Sequence, residues 1–584
     1  MMRKLMKLLK LKMSTLSLDI VIPVFLLNLV LEMNHFFPTL GQINVWDEAT
    51  YIQVGYGLLT QGAWPGLAGS PLSSVMYALS LWPVAGSRNF FLLGDAIARI
   101  FLFILVFFST YLIARALRPY ANPWVMLGIL FIVPVASTMY LFPSDALFAG
   151  FSALAFWQML AFYTHRKKRH LWWASGFMGL GMLARAEGLI LIGVMLIVTL
   201  IIACPKKRWF RDAIAVLLPF IILVGGYVLV YGLATGDFGT GLRERTFNNF
   251  ESGHESIYSQ TGVFSATVSA RFESNEVFGT AEENNYSVFR AISRNPQVYF
   301  QRLRLQFPAF ATLAVKAYGN KFILVFIWLG VRGLIALIHK KHIPLLVMSL
   351  GWFLPLGVGF LNTFFREGYF MMPFFVVFFL VNVGLTAVLK NFGKTAAKIE
   401  LAVASVVVLG ISLLARNTSM LYRSALFIFG LGFLTLLRFH RTFAKNWLSN
   451  ALWALLALGL IIRGGHPSPE LPAYGKTDLE RSVYFLQEEL SPGSRVLAGA
   501  PATIWAARMR YSGINSYDIP EFEDEDAFLA WLRASEVKAV YLDRFFPPTF
   551  TALVESLAGD GLREAYSTPE RDILIYLVTE DGSG

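Results

Sequence analysis

Apolar positions in this chain come in runs of about 18 to 25 residues, separated by short clusters of Lys and Arg. Bilayer thickness sets runs of that length; surface helices of soluble domains keep an apolar stripe instead. The pattern predicts membrane-spanning helices at about 18–34, 90–114, 122–141, 145–164, 171–184, 187–203, 213–233, 321–338, 343–361, 369–389, 399–415, 421–437 and 447–463. The basic breaks include "RALRPY", "HRKKRH", "PKKRWFR", "HKKH", "KNFGKTAAK" and "RFHRTFAK". Excess Lys and Arg mark cytoplasmic loops. Segment 171–203 lies between two such loops, so it crosses twice or not at all. "ARAEG" at 184–188 interrupts it, which predicts two short helices with Arg185 and Glu187 at a recessed turn. About 14 residues of helix reach only ~21 Å.

The threading gives about thirteen spans, with the N-terminus in the cytoplasm and the C-terminus outside. "MMRKLMKLLKLKM" before the first run resembles an uncleaved anchor. Three larger pieces then face outward: 35–89, 234–320 and 464–584. In the first, residues 48–60 keep helical spacing. In the last, strand-like "SRVLAGA" and "VKAVYLD" alternate with helix-like "DEDAFLAWLRAS" and "PTFTALVESLAG", a small α/β domain after the linker "HPSPELP". The expected fold is a polytopic α-helical membrane protein, domain 1–463, followed by an extracytoplasmic α/β domain, 464–584.

Composition sharpens this picture. The 584 residues are 56% hydrophobic, with a mean hydropathy of +0.56 and a formal charge of +12. That charge is split: residues 466–584 hold 10 Lys+Arg and 20 Asp+Glu, and the rest hold 40 and 18. Basic loops beside spans report topology, and no nucleic-acid motif accompanies them. The single cysteine, Cys204, excludes an intramolecular disulfide and a Cys-based metal cluster.

Charged residues nevertheless gather at the predicted outer ends of spans. Asp47 and Glu48 stand together in "NVWDEATYIQ". Adjacent residues do not share a helix face, so the two need different partners. Asp145 follows Ser144 in "FPSDALFAG", where an N-cap is the local reading. Arg185 and Glu187 could be a local ion pair, and Arg366, Glu367 and Tyr369 an interfacial anchor. Arg99 lies inside a span, four residues after Asp95. An arginine there costs ~2.5–3.5 kcal/mol on insertion scales, which pairing with Asp95 would lower. Their shared side suits an outward site for something acidic and lipid-anchored.

These residues resemble a known family. "DEATY" in a first outer loop is similar to the Asp-Glu motif of GT-C glycosyltransferases, of the protein O-mannosyltransferase and aminoarabinose transferase type. "SPLSSVMYAL", "DAIARIF", "PSDALFAGFSALAFWQMLAFY", "WWASGFMGLGMLARAEGLILI" and "REGYFMMPFF" continue the likeness in order over roughly residues 15–390. The resemblance implies inverting transfer of a sugar from a polyprenyl-phosphate donor to an acceptor outside the cytoplasm, in a plasma membrane. Asp47 then matches the catalytic carboxylate, Asp145 the second acidic motif, Arg185 the basic tip and Tyr369 a ligand of the donor phosphate. Some relatives carry Lys or Pro-Pro before the loop aromatic, where this chain has "GSPLSSVMY". That leaves Arg243, Arg245 or Arg366 to make the missing phosphate contact. Glu48 either orients the site or binds a divalent cation; the sequence requires no other cofactor or metal. The competing classes are a transporter or flippase of lipid-linked sugars, with charges near the midplane and paired repeats, and a non-catalytic scaffold.

Overall fold

The computed structural model describes residues 47–116, 142–204, 207–258, 274–317, 323–362, 367–391, 476–499, 501–513, 522, 525–543, 546, 548–569 and 571–579. The candidate spans 18–34, 122–141, 399–415, 421–437 and 447–463 and the 464 boundary lie outside the described residues.

The chain enters through three short pieces that build one corner. Helix α1 (Asp47–Gln61) starts with two acids, which suit the positive end of its dipole, and stops at Gly62, φ 67°. A 3-10 turn (Leu67–Gly69) and a left-handed Ser70 lead into α2 (Pro71–Leu81), whose proline sits where a missing N–H is harmless. Gly55 lets α1 lie on α2. A Cβ there would come within 2.7 Å of the Ser74 carbonyl oxygen and 2.8 Å of the Ala78 nitrogen. A second 3-10 turn (Trp82–Val84) then feeds α3 (Phe90–Ala116).

The bundle follows: α4 (Pro143–His165), α5 (Lys168–Ala184), α6 (Gly188–Ala203) and α7 (Trp209–Thr235). The predicted break in 171–203 is found. Gly188 permits it, since a Cβ there would lie 2.8 Å from the Met182 nitrogen. In α7, Pro219 sits inside the helix, and the Ser175 hydroxyl of α5 fills the local gap. It donates to the Val216 carbonyl and accepts from the Phe220 N–H at 3.0 Å. A freed backbone group in a membrane helix needs such a substitute. Helix α7 presents Phe210, Ile214, Ile221, Ile222, Leu229 and Leu233 to its surroundings. A 27-residue apolar helix with that face outward is suited to lipid.

Next come α8 (Leu242–Tyr258), α9 (Val288–Arg294), α10 (Pro296–Ala317), α11 (Ile323–His339), α12 (Ile343–Gly351), α13 (Leu354–Asn362), a 3-10 turn (Glu367–Met371) and α14 (Phe374–Asn391). Two expectations change here. The run 343–361 is two helices broken at Trp352 and Phe353, because Pro355 cannot donate into a continuing helix. The run 369–389 begins later, after Pro373, which leaves Tyr369 in the turn. The Phe156 ring joins the Trp352 break to α14, with centroids 5.2 Å from Trp352 and 5.3 Å from Phe375. Among the described residues, four segments are long and apolar enough to cross a membrane: Phe90–Ile113, Pro143–His165, Trp209–Thr235 and Ile343–Asn362.

The last unit holds α15 (Lys476–Glu489), β1 (Arg495–Ala498), α16 (Ala502–Ala506), β2 (Arg510–Gly513), α17 (Glu525–Ala534), β3 (Val537–Asp543), α18 (Pro548–Ser556), β4 (Leu562–Ser567) and β5 (Ile573–Val578). The sheet order is β2-β1-β3-β5-β4. The first three strands are parallel, and β5 is antiparallel to both β3 and β4. Both faces are covered, so β3 is apolar almost throughout. Val496, Ala498 and Tyr541 face the core that includes α15 and α16, while Leu497, Val540 and Leu542 pack with α17 and α18.

A smaller core joins α8, α9 and α10 around Phe247, Phe250, Phe278, Ala291 and Tyr299. The His254 ring stands edge-on to Phe278 at 5.0 Å in that region. Burial, and then the Arg302 charge nearby, push its pKa down to about 4. The unfolded chain therefore takes up a proton near pH 6.5 that the folded chain resists. Folding stability falls as pH drops from about 6.5 to about 4, by about 2 to 3 kcal/mol, and then levels off. Thermal midpoints between pH 7.5 and 4 should fall more steeply for the parent than for His254→Gln; parallel curves would count against this placement.

Candidate active site

Two buried charged groups occupy the region where the corner α1–α3 meets the bundle. The first holds Glu48. Its Oε2 accepts from Arg99 Nη2 at 2.8 Å, and its Oε1 accepts from the Tyr77 hydroxyl at 2.9 Å. Arg99 Nε also lies 2.7 Å from Asp95 Oδ2 on the preceding turn of α3, and the Tyr77 oxygen is 3.2 Å from Asp95 Oδ1. All four side chains are fully buried. Burial first, then the Glu48 and Asp95 carboxylates, push the Tyr77 hydroxyl well above its ordinary pKa, so it stays a donor. Three elements thus close on one guanidinium: the first turn of α1, the middle of α2 and the first turns of α3. Asp47, the residue before Glu48, opens α1; its side chain lies outside the described residues.

The second group sits at the turn between α5 and α6. Arg185 pairs with Asp145 from the first turn of α4. It also grips Glu187, through Nη2–Oε1 at 2.7 Å and Nε–Oε2 at 3.2 Å. Its guanidinium lies 5.0 Å over the Tyr369 ring, a cation–π geometry. Burial alone would raise the Glu187 carboxyl; Arg185, and more weakly Arg245, hold it below the usual carboxylate range. Arg245 on α8 lies near enough for its charge to act on Glu187, while Arg243 on the same helix is exposed.

The structure therefore brings together Asp145, Arg185 and Tyr369 from three parts of the chain. Arg366 lies outside the described residues. The N-cap reading of Asp145 is corrected: Phe142 occupies the N-cap, and Asp145 stands inside the first turn, committed to Arg185. The Arg99–Asp95 pair is present as the spacing suggests, but its extension to Glu48 was missed. Tyr77 is the aromatic of "SPLSSVMYAL", and nothing in the spacing signals its bond to Glu48. Helix α2, which carries Tyr77, packs on both α4, which carries Asp145, and α5, which leads to Arg185. Among the described residues no three His, Cys, Asp or Glu side chains converge as a metal site.

In fold the chain is similar to a solved GT-C glycosyltransferase. ArnT of Cupriavidus metallidurans, bound to undecaprenyl phosphate, is similar over 96% of this chain and 97% of its own. The TM-score is 0.56 at 12% identity, and the same protein in the apo state gives the same values. An oligosaccharyltransferase of Archaeoglobus fulgidus, in its apo form, covers 97% of this chain and 74% of its own, with a TM-score of 0.47 at 13% identity. The sequence matches no protein-family model and no curated protein.

The Arg185–Asp145 pair yields a test. Removing one partner of a buried pair leaves an uncompensated charge and costs about 3–5 kcal/mol, while an apolar replacement of both costs far less. Asp145→Leu should lower the thermal midpoint more than the double variant Asp145→Leu, Arg185→Met. Additive losses from the two substitutions would show that they do not form a buried pair.

Proposed function

We propose that this chain transfers a sugar from a polyprenyl-phosphate donor to an acceptor on the extracytoplasmic face of the membrane, with inversion. Asp47 is the general base and the Arg185 turn is part of the donor-phosphate site. The observation that carries the reading is the clamp on Glu48. Tyr77 and Arg99 fix the backbone of the first turn of α1, so the neighbouring Asp47 is presented from a rigid point. Catalytic geometry needs that rigidity.

The chemistry is consistent with it. A sugar or lipid hydroxyl is a poor nucleophile, and a carboxylate within hydrogen-bond reach takes its proton as the new glycosidic bond forms. The bond from the anomeric carbon to the donor phosphate breaks, and the departing phosphate carries the developed charge. Arginine and tyrosine donors stabilise that charge. Arg185, Tyr369 and Arg245 supply such donors; a phosphate entering here competes with Glu187 for Arg185. Arg366 and Arg243 remain candidates for further contacts. Asp145 holds Arg185 in place. Glu48, with both oxygens engaged by Tyr77 and Arg99, suits orientation rather than cation binding. The likeness in fold to ArnT, solved with undecaprenyl phosphate bound, supports a polyprenyl-linked donor.

Asp47→Asn keeps the shape and removes the basicity. Turnover should fall about 10²–10⁴-fold, the usual range for losing a general base. Binding of undecaprenyl phosphate to the same preparation should persist. Parental turnover in folded Asp47→Asn protein would rule out the base assignment.

A further inference from the structure

The sheet unit makes its closest described contacts with the membrane part at the corner joining α2 to α3. Arg88, just before α3, donates from Nε to Gln487 Oε1 at 3.0 Å and from Nη2 to Glu488 Oε1 at 2.8 Å, both on α15. Its guanidinium stacks 4.1 Å over the Tyr484 ring, and the Tyr484 hydroxyl donates to Asn89 Oδ1 at 2.6 Å. From the other side, Arg508, just after α16, donates to the Ala85 carbonyl at 3.1 Å and lies 4.8 Å over the Phe90 ring. Phe90 is buried, and its ring packs against Tyr56 of α1 in a tilted pair with centroids 5.0 Å apart. Helix α16 also touches α1 directly.

Surface ion pairs such as Arg88–Glu488 contribute little singly. Here two arginines lie over aromatic rings and each donates to a backbone carbonyl, Arg88 to that of Tyr484 at 3.5 Å and Arg508 to that of Ala85, around one eight-residue corner. That arrangement fixes a direction rather than adding bulk stability. The corner leads into α3, and Asp95 and Arg99 lie on its first turns. Those two hold Glu48, and Glu48 adjoins Asp47.

We propose that the α/β unit is a brace for the catalytic corner, with Arg88 and Arg508 as positioning residues that hold α1 in its working pose. The inference rests on the reading of Asp47 as the base. A misplacement of about 1 Å at a catalytic group can cost about a hundredfold in rate, so a brace of this kind acts on turnover before it acts on binding. The donor phosphate is assigned to the Arg185 turn, on elements other than the corner that Arg88 and Arg508 hold, so donor affinity should be spared.

The test uses the full chain in detergent, as parent, Arg88→Ala/Arg508→Ala and Arg88→Lys/Arg508→Lys. Hydrogen exchange of peptides in 47–61 should speed up about tenfold or more in the alanine pair, with exchange in 143–165 unchanged. Local opening of this kind is what exchange reports. The turnover number with whichever radiolabelled polyprenyl-phosphate sugar the parent uses should fall about tenfold, and undecaprenyl phosphate affinity should change less than twofold. The lysine pair should recover part of both losses. If the alanine pair unfolds, Arg88→Gln alone, at a half-exposed site, gives the same exchange comparison at smaller amplitude. Unchanged exchange in 47–61 would overturn the brace, as would faster exchange with parental turnover. Neither result depends on Asp47→Asn, whose activity decides the base assignment separately.

Discussion

A buried guanidinium among apolar helices organises this protein. Arg99 cannot stand alone in a bundle of low polarity, and the chain supplies it with Asp95 from its own helix and Glu48 from α1. Two carboxylates around one arginine leave a net negative charge, and the Tyr77 hydroxyl donates into that excess. Once these four side chains must meet, the first turn of α1, the middle of α2 and the start of α3 have no freedom left. Gly55 follows from that requirement, because α1 and α2 must touch at backbone distance.

The same principle recurs at the Arg185 turn. A charge at the junction of two short helices is held by an acid from a third, and an aromatic ring covers it. The two groups differ in exposure. Glu48 and its partners are sealed, which suits a structural pivot. Glu187 keeps about a fifth of its surface open, which suits a group that an incoming anion displaces.

Much of this was legible in the sequence where the cause is local. Arg99 with Asp95 follows from a four-residue spacing and the cost of an unpaired charge. The break at 185–187 follows from charges between two short apolar runs. Glu48 with Arg99 was not legible, because 51 residues separate them and no periodicity connects them. Asp145 looked like a cap because its neighbours fit one; its partner lies 40 residues on. Two of the five strands, β1 and β3, are legible in the sequence, and β5 ("ILIYLV") is apolar without alternation. β1 and β3 are apolar and β-branched, but β2 ("RYSG") lacks alternation and β4 ("LREAYS") is a half-exposed edge strand. Pro355 broke a run that hydropathy alone treats as continuous.

The account stands on transfer rather than transport, and one measurement separates them. Purified chain in sealed vesicles is given radiolabelled polyprenyl-phosphate sugars and a cell-envelope extract on the side of the C-terminal unit. For a transferase, label leaves the lipid and appears covalently on an acceptor, with one polyprenyl phosphate released for each sugar moved. Label that stays on its lipid while the lipid-linked sugar changes leaflet would contradict transfer, and would make this fold a transporter.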